Sequence, residues 1–156
     1  MDIYLLANCE FYFGSDAGVM TIPFIFKKPC YTVNHSPRIQ DELQQKLFIF
    51  KRIKSLDNGK LLSLKEVLNN ESSFDYTAQT LKKNNRMLIN NSSDEIKSFA
   101  VEINNEIKGL QIEDKEDIKM QKEFWKIYLS YVDKKDIGHI QTKISPSFLR
   151  NNLDLL

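Results

Sequence analysis

Charge is scarce at the beginning of this chain and dense in the rest. Residues 1–36 carry only Asp2, Glu10, Asp16, Lys27 and Lys28, and the other 38 of 43 charged side chains fall in the remaining 120 residues. A stretch with so little charge to cover it reads as the interior of a fold, and the remainder as its amphipathic covering. The order of segments in that first quarter narrows the choice further. Ile3-Tyr4-Leu5-Leu6-Ala7 has the character of a short helix, and Phe11-Tyr12-Phe13 that of an aromatic strand. Gly14-Ser15-Asp16-Ala17-Gly18 reads as a tight turn, followed by a second helix from about Ala17 to Phe26 that Lys27-Lys28-Pro29 breaks. Cys30-Tyr31-Thr32-Val33-Asn34 is then a second strand. Helix, strand, glycine-rich turn, helix, strand is the order of a parallel βαβ unit. Continuous apolarity, rather than alternation, suits strands covered on both faces. Pro23 inside the helix predicts a kink or a fresh first turn.

The remainder supplies the covering. Leu47 to Phe50 reads as a short strand, Asp57-Asn58-Gly59 as a turn, and Met87-Leu88-Ile89 as a last strand. Ser63-Leu64-Lys65-Glu66 and Ser92-Ser93-Asp94-Glu95 are capping boxes, the first with Leu62 and Val67 at the staple positions. Asn69 to Thr80 is polar and reads as loop. The helix after Ser92 places Ile96, Phe99, Ala100, Ile103 and Ile107 on one face and stops at Gly109. A further helix from Asp114 to about Val132 carries Met120, Phe124, Ile127 and Tyr131, widened by Trp125 and Tyr128; both stripes read as core. Ser145-Pro146 opens a closing helix through Phe148 and Leu149. At 156 residues and 42% hydrophobic, the chain is long enough for one domain spanning 1–156 and too apolar for disorder.

Composition also excludes function classes. A net charge of +1 gives no basic field for nucleic acid. No apolar run approaches the roughly 18–20 residues a spanning helix needs, and Met1-Asp2-Ile3 lacks the basic start of a secretory signal. Cys9 and Cys30 lack zinc-site spacing and read as buried free thiols, so the expected location is the cytoplasm or, peripherally, the inner face of the membrane. No set of Cys, His, Asp and Glu has metal-ligand spacing, so no metal or other cofactor is expected.

Chemistry has one natural seat. Gly14, Ser15, Asp16, Ala17 and Gly18 lie between a strand and a helix, where unsatisfied N–H groups and the helix dipole suit a phosphate. The competing reading is an ordinary strand–helix turn capped by Ser15 or Asp16. Asn34 and His35 follow the second strand at the same edge of the sheet, where His35 is either a hydrogen-bond donor to a phosphate or leaving-group oxygen, or a loop histidine with no partner. His139 reads as structural, and Asp114, Glu116 and Asp117 as a solvated helix start.

These residues carry a resemblance. Asp2-Ile3-Tyr4-Leu5-Leu6-Ala7-Asn8-Cys9-Glu10-Phe11 with Phe13-Gly14-Ser15-Asp16-Ala17-Gly18, continuing through Phe26-Lys27-Lys28-Pro29 to Val33-Asn34, resembles the C-terminal half of GT-B glycosyltransferases. It is similar to a bacterial family of cell-surface polysaccharide clusters with the pattern "cdFfiGtdSG", apolar helix, "fgKPvvyvN". Leu62 to Val67 and Phe148 to Leu156 look like that family's C-terminus. The resemblance implies a partial Rossmann-like parallel sheet flanked by helices, and a transferase moving a sugar from a nucleotide-sugar to a surface glycan or lipid-linked acceptor. It implies that the donor diphosphate rests near Gly14–Gly18, with its charge met by helix dipole and side chains rather than metal. Family members commonly have Ser where this chain has Ala17. The N-terminal domain of that family, which holds the acceptor, is not in these residues, so either these residues are a fragment of a split or truncated gene or a separate polypeptide supplies the other half. With half of such a sheet missing, an exposed apolar edge and self-association are expected. The alternatives are a non-catalytic fragment or interaction module that keeps the fold without turnover, and an unrelated small α/β nucleotide-binding protein.

Overall fold

The computed structural model describes residues 2–36, 46–69, 77–112, 114–131 and 142–156. Helix α1 (Asp2–Asn8) leads into strand β1 (Tyr12–Ser15), a 3₁₀ turn (Gly18–Met20), helix α2 (Thr21–Ile25) and strand β2 (Cys30–His35). Strands β3 (Leu47–Phe50) and β4 (Arg52–Ser55) follow, then helices α3 (Leu64–Leu68) and α4 (Ala78–Lys83) and strand β5 (Arg86–Ile89). Helices α5 (Ser93–Ile107) and α6 (Lys115–Tyr131), strand β6 (Lys143–Ile144), helix α7 (Pro146–Asn151) and a 3₁₀ turn (Leu153–Leu155) complete the chain.

The protein is α/β, with a four-stranded sheet in the order β1-β2-β3-β6 whose strand pairs are all parallel. Tyr12 stands opposite Cys30 and Ser15 opposite Val33, so the two N-terminal strands are parallel neighbours, as the βαβ reading requires. Alternation then sorts the faces. Phe13, with Tyr31 and Val33, turns toward α5, where the Phe13 and Phe99 rings meet edge-on at 5.9 Å. Tyr12 and Gly14, with Cys30 and Thr32, turn to the opposite face. The inner strands are buried along their length, as continuous apolarity predicts for strands covered on both sides.

Most of the core lies between this sheet and α5, α6 and α7. Phe48, Phe50, Phe99, Phe124, Tyr128, Ile144 and Leu149 belong to one buried cluster. Each large apolar side chain removed from water there contributes about 1.5–3 kcal/mol before the entropy of ordering it. Both capping boxes form: Ser63 accepts from the Glu66 N–H and Ser92 from the Glu95 N–H, with each glutamate returning to the cap's own N–H. Gly109, at φ 67°, ends α5 in the left-handed conformation that glycine adopts without penalty.

Several expectations change. The helix foreseen over Ala17–Phe26 is instead a 3₁₀ turn followed by the five-residue α2. Pro23 is its third residue, within the first turn, where a missing N–H costs no intrahelical bond. The polar stretch after Asn69 is not all loop: Thr77 accepts from the Thr80 N–H and caps α4, while residues 70–76 lie outside those described. Met87–Ile89 is a strand, but it pairs antiparallel with the unforeseen β4 in a separate two-stranded sheet. Strand β6 was also not anticipated. Asp117 is buried rather than solvated and pairs with Arg150, whereas Asp114 and Glu116 are exposed. Cys30 is buried, but Cys9 only partly so, and both are free thiols. His139 lies outside the described residues.

Strand β1 is one end of the sheet, and large apolar side chains stand exposed around it: Phe13, Val19 and Phe26, with Ile3, Tyr4 and Leu5 on α1. No helix among the described residues is long and apolar enough to cross a membrane.

Candidate functional site

In a parallel sheet all strands deliver their carboxyl ends to one edge, and ligands bind there because connecting loops and free N–H groups gather at that edge. Here β1 ends at Ser15, β2 at His35 and β3 at Phe50. The residues that follow the first two therefore meet. Asp16 accepts through Oδ2 from the Ser36 N–H at 3.1 Å, and the same oxygen lies 3.9 Å from His35 Nε2. The other ring nitrogen, Nδ1, is 2.6 Å from the Ser36 carbonyl oxygen, which assigns the proton of the neutral ring to Nδ1. The imidazole lies against Phe48 with centroids 5.1 Å apart. His35 is thus not a loop residue without a partner: it is the last residue of β2, 3% exposed, and held on three sides.

Asn34 is the second fixed point. It adopts φ 52°, the left-handed region, which asparagine tolerates better than other residues bearing a side chain. Asn91, just before α5, locks it there. The Asn34 N–H donates to Asn91 Oδ1 at 2.7 Å, the Asn91 N–H donates back to Asn34 Oδ1 at 2.7 Å, and Asn91 Nδ2 donates to the Phe50 carbonyl at 2.9 Å. One buried amide therefore ties the end of β2 to the end of β3. The sequence reading missed Asn91. Its only local signal was a pair of asparagines ahead of a capping box, which says nothing of a partner 57 residues away.

The Gly14–Gly18 segment is less of a cradle than its composition suggests. Gly14 and Ser15 lie within β1, so the turn narrows to Asp16 and Ala17, and neither glycine has positive φ. Gly14 instead makes room for the Tyr12 ring, whose hydroxyl donates to the Ser15 carbonyl at 2.9 Å and would lie 2.5 Å from a Cβ added at Gly14. Gly18 is open, with nothing within 4 Å of such a Cβ. The cap of the 3₁₀ turn is Ala17, with no side-chain bond, so neither Ser15 nor Asp16 caps it. The edge offers a patch of uncapped N–H groups beside a partly exposed carboxylate and a buried imidazole. Among the described residues no cluster of three or more His, Cys, Asp or Glu is placed to hold a metal ion.

Burial holds the His35 imidazole below its ordinary range, against the opposing pull of the Ser36 carbonyl and Asp16. The folded protein therefore favours neutral His35. That contribution to stability is fully present above the unfolded value of about 6.5 and is lost as pH falls through the lower folded value. Denaturant midpoints should fall between pH 7.5 and pH 5, and His35→Gln should flatten that part of the dependence. An unchanged slope in the variant would remove His35 as its cause.

The chain was compared with protein families, curated proteins and solved structures, and none of the three gave a match.

Proposed function

We propose that this chain is the donor-binding part of a GT-B type glycosyltransferase of the bacterial surface-polysaccharide class, holding the diphosphate of a nucleotide-sugar at the carboxyl edge of its parallel sheet. The observation that carries the reading is the meeting of the Gly14–Gly18 segment with Asn34 and His35 at the ends of adjacent parallel strands. In this arrangement the N–H groups of Asp16, Ala17 and Gly18 receive phosphate oxygens, and Asn34 and His35 stand beside the leaving group. The acceptor side lies outside these residues. One observation favours the non-catalytic alternative: the Asp16 carboxylate already accepts from the Ser36 N–H, at the place where an incoming anion needs donors. Like charge there weakens phosphate binding.

Titration with nucleoside diphosphates, without added metal, tests the proposal. Weak, saturable amide shifts are expected at residues 14–18. Gly18→Val is a clean control, because an added Cβ meets no protein atom, so the fold should persist while the side chain blocks close approach of the ligand. Shifts elsewhere but none in 14–18, or binding unchanged in Gly18→Val, would discard the assignment.

A further inference from the structure

Positive and negative charge are also divided unevenly along the chain. Residues 51–86 hold eight lysines and arginines against four acids, whereas all other residues hold fourteen against seventeen. The fold gathers much of that excess at one place, the end of the two-stranded sheet where β4 runs out and β5 begins. Ser55 stands opposite Arg86 and Lys54 opposite Met87, while the Ser55 N–H donates to the Lys60 carbonyl on the other flank of β4. The Leu56 N–H donates to the Asn85 carbonyl, and Lys82 and Lys83 end the helix that leads into β5. Lys54, Lys60, Lys82, Lys83 and Arg86 are thereby grouped with two exposed apolar side chains, Leu56 at 51% and Met87 at 43%. Two acids described at this end, Asp57 and Glu66, are already engaged. Asp57 accepts from Asn85 Nδ2, and Glu66 accepts from the Ser63 N–H and hydroxyl.

Cations beside exposed apolar groups suit an anionic lipid surface, where ammonium groups meet headgroup phosphates and apolar tips enter the interface. All but one of these cations are lysines, compact charges on flexible stems that match a diffuse layer of headgroups. Reading a nucleic acid favours arginine forks and aromatic rings, and residues 54–60 and 82–87 contain no aromatic. The apolar surface around β1 lacks this character, because Asp2, Glu10 and Asp16 outnumber Lys27 and Lys28 there. We propose that this end of the β4–β5 sheet docks the protein on an anionic lipid membrane, with Leu56 and Met87 in the headgroup layer and the cations over lipid phosphates. The surface shares no residue with the edge where Asp16, Asn34 and His35 meet, so it stands or falls apart from the donor reading.

Co-sedimentation of the whole chain with vesicles is the test, using phosphatidylcholine alone, phosphatidylcholine mixed with phosphatidylglycerol, and polyuridylate as a soluble competitor. Binding is expected to the mixed vesicles, roughly tenfold or more weaker to phosphatidylcholine alone, and reduced by added salt. Lys82→Glu combined with Lys83→Glu should weaken it roughly tenfold or more. Leu56→Ser should weaken it roughly threefold or more. Lys119→Glu combined with Lys126→Glu makes the same change of charge at exposed positions on α6 and should have a far smaller effect. All the substituted side chains are exposed, and circular dichroism checks that each variant keeps the fold. No preference for the mixed vesicles, an equal loss in the α6 pair, full binding by Leu56→Ser, or polyuridylate held more tightly than the vesicles would each overturn the proposal.

Discussion

Purified alone, the 156-residue chain is expected to consume no nucleotide-sugar donor in the presence of any acceptor. Glycosyl transfer needs donor and acceptor held in register, and most of the rate gain comes from that positioning together with stabilisation of charge on the leaving phosphate. For charge stabilisation the carboxyl edge of the sheet offers the N–H groups after Asp16, with Asn34 and His35 beside them. For positioning it offers one wall. The imidazole of His35 is buried to 3% exposure and bonded to its own strand end, so it is poorly placed as a base for an incoming hydroxyl. Turnover should appear only when an acceptor domain is supplied as well, whether fused ahead of these residues or co-expressed. The expected contrast is all-or-none in an assay of released nucleoside diphosphate. Robust turnover by the single chain would show that these 156 residues contain an acceptor site.

Asn91→Ala is expected to be the most damaging single change at the carboxyl edge. It leaves the Asn34 N–H and the Phe50 carbonyl without their partner, in a place where Asn91 itself is only 7% exposed. Two orphaned buried groups should cost about 2–4 kcal/mol. Asn34 would also lose one of the two bonds that hold it at positive φ, keeping only the one its Oδ1 accepts from the backbone N–H of residue 91, and His35 beside it would be held less firmly. Diphosphate binding should therefore fall together with stability. Chemical denaturation and the amide titration read the two effects separately. A loss below about 0.5 kcal/mol would mean that water replaces the amide without penalty.

Much of the fold was legible because the signals were local and strong. The capping boxes at Ser63 and Ser92 name their own helix starts, since cap and returning glutamate are three residues apart and need nothing else. The first two strands were readable as parallel neighbours because a short helical connection between them leaves little choice. Strand β6 was not legible: two residues, Lys143 and Ile144, carry no periodicity, and they are a strand only because Leu47 and Phe48 lie beside them. Strand β4 failed for a related reason. Arg52 and Lys54 argue for surface, yet their partners Ile89 and Met87 come from the far side of two helices.

The carboxyl-edge site divides in the same way. Sequence alone determined that the segment around Gly14–Gly18 and the pair Asn34 and His35 come at the ends of consecutive strands, because strand and turn preferences are set within a few residues. Only the tertiary structure decided what those residues do. It put Gly14 inside β1 under the Tyr12 ring, gave the Asp16 carboxylate to the Ser36 N–H, buried His35 against Phe48, and brought Asn91 to lock Asn34. Burial and hydrogen-bond partners at long separation depend on which surfaces the sheet and helices bring together. Local preferences choose the elements, and the hydrophobic collapse of distant ones chooses their neighbours.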